Sequence, residues 1–153
     1  MTSLYQLFLL PIHNLNRWVA LIALVALTVY GIWGVVQKRE FGKEGRTLLS
    51  IATISIDVQL LLGLLIWFFS AQLQAFMAGD RSSAIRTFVI EHPLMGIITM
   101  ILIHVGSVKV KKDDTSLGKN RKAAIWGGVT LLSAIVGGIV LTGADRLLPN
   151  FLR

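Results

Sequence analysis

Leu48–Phe69 reads LLSIATISIDVQLLLGLLIWFF. The stretch has 22 residues and one ionisable side chain, Asp57. As a helix it rises ~33 Å, enough to cross a hydrocarbon core of roughly 30 Å. A barrel strand would be shorter and would alternate in polarity. Backbone groups in lipid have no water to bond, so a helix is the natural form. Three more apolar blocks surround it, at about Trp18–Val36, Phe88–Val110 and Ala123–Gly143. The expected fold is all-α, a four-helix transmembrane bundle. Its helices run over about 14–36, 47–70, 88–110 and 122–144, in one domain covering 1–153.

The composition agrees. Of 153 residues, 54% are hydrophobic and 15% charged, where a soluble domain is closer to a quarter charged. Disorder is excluded by the apolar fraction. A soluble Rossmann or barrel enzyme is excluded by the long apolar blocks. There is no Cys, which removes disulfides, thiolate metal sites, iron–sulfur clusters and covalently attached c-type haem. The first charge is Arg17, and nothing before it resembles the basic start of a signal peptide. Residues 1–12 are expected to stay on the chain as a short apolar lead-in at the membrane surface.

Short connections join the blocks: Gln37–Thr47, a loop at Ser70–Thr87, and Lys111–Lys122. Short links between sequential helices give an up-down-up-down bundle. The basic residues orient it. Lys38, Arg39, Lys43 and Arg46 lie at the first connection; Lys109, Lys111, Lys112, Lys119, Arg121 and Lys122 lie at the third. The other side holds Arg17, Arg81, Arg86, Arg146 and Arg153. The ten-to-five bias places both basic loops in the cytoplasm and both termini outside. The net charge of +7 is thus a topology signal, and nucleic acid is not an expected partner. Trp18, Trp33, Trp67 and Trp126 near the block ends form the aromatic belt of a bilayer protein.

Two polar groups within the apolar spans can carry chemistry, because ionisable side chains are costly there. The first combines His13, Asn14 and Arg17 with Arg86, Glu91 and His92. The first and third helices run the same way and stand diagonally across a bundle. A flat macrocycle fits between them, with one imidazole on each face of its iron. Arg17 follows His13 by one turn and can hold a haem propionate; Arg86 can hold the other. Glu91 can accept the remaining ring N–H of a ligand histidine. The plain alternative makes His13 an interfacial residue and Glu91-His92 a helix start before Pro93.

The second group is Asp57 and His104, with Gln59 and Ser107 close in sequence. Asp57 lies ~15 Å from the inner end of its helix and His104 ~9 Å from the inner end of the next. Three roles compete: a second haem ligated by His104, a proton relay or quinone site at Asp57–His104 with Gln59, and a buried pair that fixes packing. The last helix carries small residues, among them Gly127, Gly128, Ser133, Ala134, Gly137, Gly138 and Gly143. They permit close helix approach, either within the bundle or in a homo-oligomer. No GxSxG, HExxH or P-loop occurs.

The stretches HNLNRW at 13–18, DVQLLLG at 57–63, RTFVIEH at 86–92 and HVGS at 104–107 together resemble a group of small bacterial four-helix membrane proteins labelled cytochrome b-like. The resemblance covers most of the chain. It implies a multi-pass protein of the bacterial cytoplasmic membrane that binds haem b. In some members the position matching Asp57 is a histidine, which would pair with the one matching His104. Asp57 here leaves His13 and His92 as the better pair.

The expected function is therefore a membrane b-type haem protein passing electrons to or from quinone or a larger redox complex. The expected cofactor is one haem b, with a second only if His104 also ligates. Two readings from other classes stand beside it. One is a cofactor-free accessory subunit of a larger membrane complex. The other is a proton- or metal-handling protein built on Asp57 and His104.

Overall fold

The computed structural model describes residues 8–141. Within them lie five helices and no strand: α1 at Leu10–Val36, α2 at Lys43–Phe68, α3 at Ala71–Met77, α4 at Ser83–Lys111 and α5 at Ser116–Ile139. The four long helices have 27, 26, 29 and 24 residues and are apolar enough to cross a membrane. At 1.5 Å per residue each exceeds the hydrocarbon thickness of roughly 30 Å.

The helices begin earlier than the apolar blocks, because caps in the polar flanks set their ends. Pro11 sits in the first turn of α1, where its missing N–H costs nothing. Leu10–Ile12 of the expected lead-in are therefore the first turn of α1; residues 1–7 lie outside the described part. Gly42 enters α2 in an extended conformation, and Glu44 lies in the first turn, where the helix dipole favours an acid. The Thr115 hydroxyl accepts from Gly118 N–H at 3.0 Å and caps α5. The expected end of the last helix at about 144, with Gly143, Arg146 and Arg153, lies outside the described residues.

Ser70–Thr87 is not the plain loop expected of it. The Ser70 hydroxyl accepts from Leu73 N–H at 3.1 Å and starts α3. Gly79 leaves that helix with φ +103°, a conformation that favours glycine. Two turns depart from regular α geometry, Thr87–Glu91 within α4 and Val136–Val140 at the end of α5; both are π-helical.

α1 packs on α2 and α5, and α4 packs on the same two helices. This leaves α1 and α4 across a diagonal, as expected. Leu24, Leu27, Ile103 and Val110 fill the core, with Ala20, Ala23, Ala52 and Ala123 between them. Close approach depends on glycine at Gly31, where a Cβ would stand 2.5 Å from the Ala124 backbone nitrogen. The small residues of α5 are used the same way. A Cβ on Gly127 would lie 2.8 Å from Thr28 Oγ1, and one on Gly137 would lie 2.8 Å from Met95 Cβ. Ser133 bonds Thr99 at 2.8 Å. Gly127, Ser133 and Gly137 thus serve close packing within the bundle.

The Asn120 side-chain amide donates to the Arg39 carbonyl at 2.8 Å. That bond ties the first basic connection to the start of α5 and brings the two basic regions to one end of the bundle. Ile22, Val29, Ile54, Leu61 and Leu132 are exposed on the flanks. A surface this apolar fits lipid rather than water.

Candidate functional site

A cavity of about 190 Å³ opens between the four long helices, away from the basic end. His13 and Arg17 reach it from α1, Gln59 from α2, and His92 and Thr99 from α4. Ile56, Leu60, Phe88 and Met95 supply apolar wall, and Gly63, Gly96, Gly137 and Gly138 leave space along it. The first expected pair is thus brought together: His13 and His92 line one cavity from diagonal helices, with Arg17 beside them.

Hydrogen bonds set the state of each imidazole. His92 Nδ1 lies 2.8 Å from the Gly137 carbonyl oxygen. A carbonyl only accepts, so Nδ1 carries a proton, and in the neutral ring the lone pair is then on Nε2. Gly137 stands in the π-helical turn Val136–Val140. Such turns interrupt the regular ladder of carbonyls and recur at functional sites. On the other helix, His13 Nε2 lies 3.0 Å from the Gln59 amide nitrogen. The orientation of that amide is fixed, because Gln59 Oε1 accepts from Asn16 Nδ2 at 2.8 Å. Asn16 Nδ2 also donates to the Ser55 carbonyl at 2.8 Å. Gln59 therefore donates to His13 Nε2, which must carry the lone pair. Both histidines hold the same tautomer, protonated at Nδ1. His13 Nδ1 is buried with no partner among the described residues.

Arg86 and Glu91 are placed differently from expectation. They pair with each other at 3.1 Å, and Thr87 Oγ1 donates to Glu91 at 2.9 Å. Neither lines the cavity. Adjacent helical residues point about 100° apart, so Glu91 cannot share the face of His92. The bond expected from Glu91 comes from Gly137 instead, and Arg86 is held by Glu91 outside the cavity lining.

Gln59 is also reassigned. Two residues are about 200° around a helix, so Gln59 faces the cavity while Asp57 faces away. Asp57 Oδ1 and His104 Nε2 do meet, at 2.8 Å. Their side chains are 39% and 47% exposed, so the pair is on the outer surface rather than in the core. Ser107 is buried on another side and does not join them. His104 does not line the cavity.

Among the described residues no three His, Cys, Asp or Glu side chains cluster as a metal cage. What the cavity offers is two imidazoles with aligned tautomers, one guanidinium and apolar walls. Sequence reading missed Asn16 and the Gly137 carbonyl. Asn16, one turn after His13 on α1, was a legible signal as an amide in an apolar span; the carbonyl carries none. Comparison with protein families, curated proteins and solved structures gives no match.

Proposed function

We propose that this chain is a b-type haem protein of the bacterial cytoplasmic membrane. It passes electrons within the bilayer, to or from the quinone pool or a larger redox complex. His13 and His92 would hold the haem iron, and Arg17 would pair with a propionate. In this reading the bundle runs up-down-up-down, with both basic connections in the cytoplasm and both termini outside.

The observation that carries the proposal is the shared tautomer across one cavity. A ligating imidazole needs a lone pair on one nitrogen and a held N–H on the other. His92 meets this with Nδ1–H on Gly137. His13 presents its lone pair at Nε2, where iron would replace the Gln59 amide. The glycines along the wall leave room between the two imidazoles. Bound haem would supply reversible one-electron transfer. The chain's own part is to hold the ring nitrogens, neutralise a carboxylate through Arg17 and exclude water with the apolar walls.

Haem titration of the purified chain tests this. The wild type is expected to take up haem with a sharp Soret band, and His13→Ala and His92→Ala are each expected to lose it. Retention of the wild-type spectrum in either variant contradicts the assignment.

One observation favours a second reading. The buried Nδ1–H of His13 has no partner among the described residues. A quinone ring in the same cavity would satisfy it through a carbonyl oxygen. That reading predicts a chain that stays colourless with haem and retains quinone through purification.

A further inference from the structure

Asp57 and His104 meet on the outside of the bundle, along the seam between α2 and α4. Asp57 is near the middle of α2, fourteen residues after Lys43 and eleven before Phe68. In a spanning helix that depth faces lipid tails. Ionisable side chains so deep almost always face protein or water, yet the bundle's own interior does not cover this pair. Its flanks are apolar and exposed: Ile54 and Leu61 on α2, Ile101 and Val108 on α4. Each is three residues before or four after the polar residue, and so on the same helix face.

We infer that a second copy of the chain covers this face, in a two-fold dimer whose axis lies along the membrane normal at the α2–α4 seam. The inference rests on the membrane-spanning reading and not on the cofactor. Copies of one chain insert with one orientation, so the axis of a closed dimer runs along the normal. Rotation about that axis preserves depth. Asp57 and His104 bond directly, so they already stand at one depth. The rotation therefore brings the His104 imidazole of one copy opposite the Asp57 carboxylate of the other, and the reverse. The complement of each group is supplied by symmetry, with no acid forced against an acid. Polar side chains bonded between helices hold membrane helices together. The apolar residues above and below the pair meet in the same interface. Gly127 and Gly137 of α5 are already used inside the bundle.

The chain has no Cys, so Ala78→Cys between α3 and α4 takes a single dye. Photobleaching steps are then counted in liposomes at low protein density. Two steps are expected for the otherwise wild-type chain. One step is expected when Asp57→Leu and His104→Leu are combined, a pair that leaves no lone charge. A second measurement does not depend on how that variant folds. Leu60 meets Gly96 and Trp67 bonds Val89, so rising numbers on α2 meet falling numbers on α4. Leu61 of one copy then faces Ile101 of the other. Chains carrying only Leu61→Cys and only Ile101→Cys, expressed together, are expected to form a mixed disulfide. One-step bleaching of the wild-type face overturns the inference and leaves lipid or a lipid-soluble molecule over the pair. Two steps in the double variant without the mixed disulfide overturn it too, and place the interface elsewhere.

Discussion

His92 Nδ1 bonds the carbonyl oxygen of Gly137 at 2.8 Å, from α4 to α5. The bond fixes the ring, its tautomer and the spacing of the two helices together. It also makes Gly137 doubly constrained, since a Cβ there would stand 2.8 Å from Met95 Cβ. Gly137→Ala is expected to cost about 1–3 kcal/mol, the usual range for overpacking. It should also loosen His92 and weaken haem retention. Gly128→Ala is the control, because its Cβ would meet Thr28 Cγ2 at an ordinary 3.7 Å. Thermal midpoints by circular dichroism in detergent separate the two.

Gln59 bonds His13 Nε2 only while that nitrogen has no other partner. An interaction made only in the ligand-free state opposes binding. Gln59→Leu is therefore expected to raise haem affinity. A net hydrogen bond is worth about 0.5–1.5 kcal/mol, which corresponds to about 2- to 10-fold in Kd. Haem titration followed in the Soret region reads the change. A weaker affinity would make Gln59 a support of the holo state instead.

The sequence made the four spans legible because lipid imposes a length and a composition on each helix. It made the diagonal of His13 and His92 legible because short links force neighbours to pack in order. The helix ends were less legible, because Gly42, Ser70 and Thr115 start helices outside the apolar blocks. The face assignments of Arg86, Glu91 and Gln59 required the rotation of each helix. Neighbouring apolar residues on all sides conceal that rotation, since lipid-facing and core-facing positions are both hydrophobic. The π-helical turn that presents the Gly137 carbonyl has no side-chain signature.

Asn120 is fully buried and holds the Arg39 carbonyl at 2.8 Å. Asn120→Ala leaves that carbonyl without its donor. The expected loss is about 0.5–1.5 kcal/mol, the net worth of one hydrogen bond, because Arg39 is exposed and water can replace the donor. Chemical denaturation in detergent measures it, and an unchanged midpoint would show that the clasp is not needed.

Asp113 sits in the connection between α4 and α5. Its carboxyl is held at about 2, below the usual 3.8, chiefly by the Lys122 ammonium and then by the Thr115 N–H and hydroxyl. The folded value lies below the unfolded one. The contribution to stability is thus complete above about pH 4 and is lost as pH falls through about 2. Protection factors for amide exchange at Thr115–Lys119, taken against the intrinsic rate at each pH, should fall over that window in the wild type. Asp113→Asn should show the lower protection already at neutral pH.

The central claim is that His13 and His92 bind one haem between them. Its most direct test is the reduced-minus-oxidised absorption spectrum of the purified chain after haem loading. The account predicts the sharp Soret and α bands of a six-coordinate b-type haem at one haem per chain, with the α band lost in His13→Ala and in His92→Ala. A wild-type chain that stays colourless after loading, or a full α band in either variant, would contradict it.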